Sequence, residues 1–195
     1  MNTIDYIFSF LCGQDASRSF AIAGQLLPFC QRCTGVYVGM GIGFLYLLLS
    51  RQYRKGLPPL SILYVNIASL LIMPLFGFHI FDPGAAWRLW SGLIFGNAIV
   101  FLLLPAVSTI LNEGRIIGHH TKTSTLCFFA LFAFLNTIPL WFPIQSIYFY
   151  YAALGVSFTG LVCVLFCVTA ITGFLIKKTV VLVNLKGFGN ECARD

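Results

Sequence analysis

Acidic side chains are scarce in this chain, and so are charges of either sign. Its 195 residues include six Asp or Glu and twelve Lys or Arg, so that 9% of the residues are charged while 58% are hydrophobic. A soluble domain of ordinary composition carries about 25% charged residues, because its surface has to be solvated. This composition therefore excludes a water-exposed globular fold, whereas a surface that faces lipid needs no charge.

Five long stretches contain no Asp, Glu, Lys or Arg, and His79 is their one basic residue. A helix needs about 20 predominantly apolar residues to cross about 30 Å of hydrocarbon. The strands of a membrane barrel alternate polar and apolar residues, which these stretches do not. The sequence therefore predicts an all-α polytopic membrane bundle of about five transmembrane helices, which cover residues 33–50, 59–81, 89–111, 125–142 and 147–176.

Lys and Arg are divided unevenly between the two sides of this bundle. Nine of the twelve fall on one side, and Lys and Arg favour cytoplasmic loops. We therefore expect the N-terminus outside and the C-terminus in the cytoplasm. The net charge of +6 then reflects orientation in the membrane, and no nucleic-acid partner is expected. The predicted parts are an outer-face segment, interfacial or re-entrant, over residues 1–32, the bundle over 33–176, and a cytoplasmic tail over 177–195.

Familiar catalytic patterns are missing as well. The chain has no Gly-rich phosphate loop, no His-Glu-x-x-His and no Gly-x-Ser-x-Gly. The absence of a charged residue in the middle of any predicted span argues against an ion-coupled transporter, which commonly needs one. Whether the protein is an enzyme stays open on these grounds.

Glycines recur at helical spacing in two of the predicted spans. Small residues four positions apart allow two helix backbones to approach closely, which promotes helix association in lipid. The first and third spans are therefore expected to pack together. The glycines in question are Gly35, Gly39 and Gly43 in the first span, and Gly92 and Gly96 in the third.

The pattern with the most chemical content is Cys30-Gln31-Arg32-Cys33, directly before the first span and on the predicted outer side. Two thiols at this spacing can form a disulfide or bind one metal ion. A guanidinium and a helix N-terminus both favour the thiolate form. A structural disulfide, a redox-active pair and a metal site all fit, and an oxidising outer compartment favours the Cys30–Cys33 disulfide.

Two further groups of residues lie on the same predicted side. Cys12, Cys30, Cys33 and His79 are a chemically sensible set of zinc ligands, three thiolates and one imidazole. The three outer arginines are candidates for binding an anion or an anionic lipid, because a guanidinium offers paired donors to a phosphate. They are Arg18, Arg32 and Arg88.

Residues 18–39 resemble the signature of a prokaryotic integral-membrane family of unknown function, domain of unknown function 2085. The core of the resemblance is Cys-Gln-Arg-Cys-Thr-Gly-Val-Tyr-Val-Gly over residues 30–39, and a weaker second block follows at 88–96. The resemblance implies a small protein with several spans in a prokaryotic plasma membrane, and it implies no established activity. The family pattern has histidines where this chain has Gly13 and Gln25, which disfavours a zinc cofactor.

The sequence thus predicts an integral membrane protein with an extracytoplasmic Cys-x-Arg-Cys site, used as a structural or redox-linked disulfide. A membrane thiol oxidoreductase is one alternative, with Cys30 and Cys33 as the exchanging pair and Cys12 as a partner. A protein that binds or transports a metal or an anionic lipid is the other. Membrane lipids are the expected surroundings, and a homo-oligomer or a membrane partner is compatible with the sequence.

Overall fold

The computed structural model describes residues 12–55, 58–77, 84–111 and 147–191, together with a few isolated positions at 6, 9, 127, 130, 131, 133 and 134. Within these residues a two-stranded hairpin precedes four long helices. The strands are β1 (Ser19–Ile22) and β2 (Gln25–Cys30). The helices are α1 (Gln31–Leu49), α2 (Leu60–Gly77), α3 (Ala85–Leu111) and α4 (Ile147–Glu191).

Three of the helices are long and apolar enough to cross a membrane: Gln31–Leu49, Ala85–Leu111 and Ile147–Val180. A shorter apolar helical stretch, Leu60–Met73, lies within α2. These four correspond to the predicted spans one, two, three and five. The predicted fourth span, residues 125–142, lies almost wholly outside the described residues, so the count of five and the orientation of the termini stay predictions.

The last helix is longer than the sequence suggested. We expected the final span to end at residue 176 and a tail to follow, but α4 continues without interruption to Glu191. Lys177 and Lys178 therefore lie within the helix. Neither residue breaks a helix, and both are good helix formers, so the end of the apolar run does not mark the end of the helix.

The hairpin was not predicted from the sequence, which indicated only an interfacial or re-entrant segment over residues 1–32. Ile22 pairs with Gln25, so the loop between the strands consists of Ala23 and Gly24. Both have positive φ, 52° and 77°, which is the backbone of the tight turn that suits the twist of a hairpin. Ala-Gly is a weaker signal for this turn than Asn-Gly or Asp-Gly, and that is why the pattern was missed.

Helices α1 and α3 pack with their backbones in close contact. A Cβ atom at Gly35 or Gly39 would collide with the carbonyl oxygens of Leu89 or Leu93 on α3. In the other direction, a Cβ at Gly92 or Gly96 would collide with backbone oxygens of α1. The first turns of the two helices lie side by side, because Gly35 meets Leu89 and Gly92 meets Arg32.

Helix α4 packs on another face of α1. A Cβ at Gly41 would meet the backbone of Val156, and a Cβ at Gly160 would lie 2.6 Å from the Tyr37 carbonyl oxygen. The core between the helices is formed by residues such as Leu47, Phe101 and Cys167, each about 1% exposed. The hairpin lies at the beginning of α1, so the segment that carries the cysteines rests on the end of the helix bundle.

Candidate metal centre

Cys30 and Cys33 lie where a strand passes directly into a helix. Cys30 is the last residue of β2 and also the N-cap of α1, with φ −67° and ψ 161°. Cys33 follows in the first turn, and the Thr34 hydroxyl donates a hydrogen bond to the Cys30 carbonyl oxygen at 3.1 Å. Pairing of β2 with β1 fixes the backbone at Cys30, since Ser19 lies opposite it.

Cys12 reaches the same place from a separate segment of chain. The Gln14 side-chain amide donates to the Pro28 carbonyl oxygen at 3.2 Å and holds this segment against β2. The backbone N–H of Cys30 donates to the Cys12 sulfur at 3.3 Å. Cys12 is buried, with 7% of its surface exposed, while Cys30 and Cys33 are partly buried.

The result is a cluster of three sulfur atoms, all within 4.8 Å of one another. A zinc ion binds thiolates at about 2.3 Å, which places the sulfurs of a tetrahedral site about 3.8 Å apart. The sulfurs therefore need to move by no more than about 1 Å to bind one ion. All three cysteines are free thiols in this structure, so the expected Cys30–Cys33 disulfide is not formed in it.

Two helix N-termini and a guanidinium lie at the end of the bundle that carries the cluster. The first turns of α1 and α3 lie side by side, and neither contains an acidic residue. The positive ends of two helix dipoles thus meet here, and Arg32 adds a guanidinium to the first turn of α1. Positive helix ends favour negative charge nearby, and a bound cation would offset part of the charge of three thiolates.

Hydrogen bonds act on Cys12 in the same direction. The thiols of Cys30 and Cys33 interact with its sulfur, and the backbone N–H groups of Cys30 and Gln14 add to their effect. Together they lower the pKa of Cys12 well below its ordinary value, although burial opposes the shift. These hydrogen bonds therefore favour the thiolate form of Cys12.

The three arginines that the sequence places on the same side as the cysteines have different neighbours. Arg18 lies 3.5 Å from the Asp15 carboxylate on an exposed surface. The Arg88 guanidinium donates to the Gln31 side-chain oxygen at 3.2 Å, next to Arg32. Hydrogen bonds from Ser17, with smaller contributions from Arg18 and Arg88, lower the pKa of Asp15. The arginines thus form part of a polar network at this end of the bundle, and binding of an anionic lipid by them stays a prediction.

Two aromatic side chains close the cluster toward the bundle. The Phe29 and Tyr37 rings lie 5.3 Å apart, and Phe29 is fully buried. Tyr37 is one turn beyond Cys33 on α1 and interacts electrostatically with all three cysteines. Sequence reasoning did not connect either residue with the site. The signal was present for Tyr37, since residues four apart on a helix share a face.

The fourth predicted zinc ligand, His79, lies outside the described residues. Within those residues the three cysteines are the only group of metal-ligating side chains of this kind. Gly13 and Gln25, the positions where the resembled family pattern has histidines, contribute no ligand of that type. A set of three sulfurs leaves a coordination position for a further ligand, because structural zinc takes four.

Comparison with known proteins covers the part of the chain that holds this cluster. Residues 12–102 match the family described as "Predicted membrane protein (DUF2085)". The resemblance found in the sequence is thereby confirmed. The matched residues include all three cysteines, α1, α2 and most of α3.

Two archaeal relatives are uncharacterised proteins. One, from Methanothermobacter thermautotrophicus, is 34% identical over 70 residues, which are 35% of this chain and 57% of the relative. The other, from Methanocaldococcus jannaschii, is 27% identical over 103 residues, which are 51% of this chain and 65% of the relative. The chain thus spans less than two thirds of the length of each. No solved structure matches the chain.

Proposed function

We propose that this protein binds a thiophilic metal ion, Zn²⁺ or Cu⁺, through Cys12, Cys30 and Cys33 at the outer surface of a prokaryotic plasma membrane. The observation that supports this most is the convergence of three sulfurs within 4.8 Å from two separate segments of chain. Soft thiolate ligands select Zn²⁺ and Cu⁺ among the common metal ions.

The third sulfur favours a metal over a disulfide. A bridge between Cys30 and Cys33 needs two sulfurs and leaves Cys12 as a buried thiol that takes no part in it. A metal ion uses all three sulfurs and offsets part of their charge. The N–H of Cys30 that donates to the Cys12 sulfur fits this use, because backbone N–H groups that donate to thiolates support bound metal from the outer shell.

Metal content of the purified protein tests the proposal. Protein purified without chelator, or reloaded under reducing conditions, should hold about one Zn²⁺ or Cu⁺ per chain. Binding of this ion should require all three cysteines. The variant Cys12→Ser/Cys30→Ser/Cys33→Ser should lose it. Cys127→Ser is the matched control, since Cys127 is exposed and lies outside the cluster. Equal metal content in the triple variant and the wild type would contradict the proposal.

A second candidate is thiol–disulfide exchange. Cys30 and Cys33 lie at the N-cap and in the first turn of α1, and the Cys12 sulfur lies next to them, where it accepts a hydrogen bond from the Cys30 N–H. In that reaction the Cys12 thiolate would attack a Cys30–Cys33 disulfide, form a bond to one sulfur and release the other as a thiolate. Both candidates use the same three residues, but they differ in the oxidation state of the resting protein.

Thiol labelling in intact cells separates the two candidates and tests the orientation. Under the metal proposal, a membrane-impermeant maleimide should label the cluster after a chelator removes the metal, without any reductant. A resting disulfide predicts labelling of Cys30 and Cys33 only after reduction. If the cluster is labelled only once the membrane has been permeabilised, the outer location of the site is wrong. Cys127, Cys163, Cys167 and Cys192 are replaced by Ser in these experiments.

A further inference from the structure

The face of α4 that packs against the bundle carries small and polar residues in place of large apolar ones. Among its described side chains the buried positions recur about once per turn, at Ser157, Gly160, Cys163 and Cys167. The Ser157 hydroxyl is 1% exposed and has no hydrogen-bond partner among the described residues. A buried polar group without a partner costs free energy. Apolar packing alone therefore does not explain the residues on this face.

Cys163 and Cys167 form a pair of thiols on this face. They are four residues apart, 3% and 1% exposed, and their thiols hydrogen-bond to each other. Residues at this spacing are neighbours on one side of a helix. The pair lies near the middle of the apolar stretch Ile147–Val180, far from either end of the predicted span.

A methionine of α1 packs against the same face of α4, almost one turn from Cys163. Gly160 precedes Cys163 by almost one turn and packs against Met40, whose Cβ would lie 2.8 Å from a Cβ placed at Gly160. Met40 is 7% exposed and belongs to the same buried cluster as Cys163 and Cys167. Two buried thiols on α4 and a buried methionine on α1 thus lie on the contact between these two helices.

We propose that Cys163, Cys167 and Met40 form a second binding site, inside the membrane, for a soft monovalent cation such as Cu⁺. Thiolate and thioether sulfur are the ligands that Cu⁺ prefers. Binding releases one proton to the solution, as one of the two thiols becomes a thiolate. The occupied site is then neutral, which avoids the cost of a net charge in the hydrocarbon region.

This second site goes beyond the function proposed above and does not depend on it. Seven residues of α1 separate Cys33 from Met40, which corresponds to about 10 Å along a helix. A soft cation held by the three-cysteine cluster would thus lie about 10 Å along α1 from the methionine of the second site.

Copper stoichiometry tests the two sites separately. Cu⁺ is supplied as its bicinchoninate complex under ascorbate, to detergent-purified protein in which Cys127 and Cys192 are Ser. This parent should bind about two Cu⁺ per chain, Cys163→Ala/Cys167→Ala about one, and Cys12→Ser/Cys30→Ser/Cys33→Ser also about one. X-ray absorption of the last variant should show only sulfur neighbours around copper.

Each site has its own contradicting outcome. If Cys163→Ala/Cys167→Ala binds as much Cu⁺ as the parent, the intramembrane site is wrong while the proposed function stands. If Cys12→Ser/Cys30→Ser/Cys33→Ser binds as much Cu⁺ as the parent while Cys163→Ala/Cys167→Ala binds less, the proposed function is wrong and the intramembrane site stands. Met40→Leu, a swap of similar size, should weaken the second equivalent by about 10-fold, with Met73→Leu as the control. This comparison does not require the three-serine variant to fold.

Discussion

Replacing Cys12 by Ser should weaken Zn²⁺ binding by more than about 100-fold, since even changes around metal ligands cost 10- to 100-fold in affinity. A serine hydroxyl is a poor ligand because it stays protonated at neutral pH. The substitution also changes the group that accepts the Cys30 N–H hydrogen bond at 3.3 Å. Competition with a chromogenic chelator measures the affinity directly.

Cys12 is the residue at which the competing interpretations differ most. If the site is made only of Cys30 and Cys33, Cys12→Ser should leave the affinity unchanged, because Cys12 is then not a ligand. Cys12 lies 18 residues before Cys30 in the chain. The Co²⁺-loaded protein offers an independent measure. Its sulfur-to-cobalt charge-transfer absorption should fall by about one third in Cys12→Ser, since one of three thiolates is lost. Cys127→Ser should leave both the affinity and the spectrum unchanged.

The position of Cys12 also shows where sequence reasoning reached its limit. Cys30-Gln31-Arg32-Cys33 is a contiguous pattern, so its chemistry could be predicted from spacing alone. The approach of Cys12 depends on the hairpin formed by β1 and β2 and on the contact between Gln14 and Pro28. These are contacts between separate segments, and no periodicity in the sequence reports them.

The helices were easier to predict than their ends. Apolar runs located the cores of α1, α3 and α4, because a membrane span needs a minimum number of apolar residues. The same criterion could not locate the end of α4 at Glu191, since a helix continues wherever backbone hydrogen bonds and side chains allow it. Pro105 lies inside α3 without ending it, which shows the same limit.

From the sequence alone, Cys163 and Cys167 are two small residues of an apolar span. That interpretation is reasonable for one buried thiol, which packs like a hydrophobic side chain. The structure adds that Cys163 and Cys167 share a face with Ser157 and Gly160, and that this face meets Met40 on α1. Which helix a face contacts is a property of the assembled bundle, and the spacing of cysteines does not give it.

Adding a methyl group between α1 and α3 should destabilise the bundle strongly. Gly39→Ala and Gly96→Ala each place a Cβ against the backbone of the facing helix, at Leu93 and Val36 respectively. Backbone atoms cannot move aside as a flexible side chain can, so we expect a loss of about 1–3 kcal/mol in the free energy of unfolding. Titration with SDS in mixed micelles, followed by the fluorescence of Trp87 and Trp90, measures it.

Gly155→Ala is the matched control, because nothing lies within 4 Å of a Cβ at that position on α4. Alanine in a helix is favoured over glycine by about 1 kcal/mol, so this variant should be as stable as the wild type or more stable. All three variants replace glycine by alanine, but Gly155→Ala should change the free energy of unfolding in the opposite direction from Gly39→Ala and Gly96→Ala. If Gly39→Ala and Gly96→Ala behaved like Gly155→Ala, the close packing of α1 on α3 would be wrong. The paired helix N-termini beside the cysteine cluster would then lose their structural basis as well.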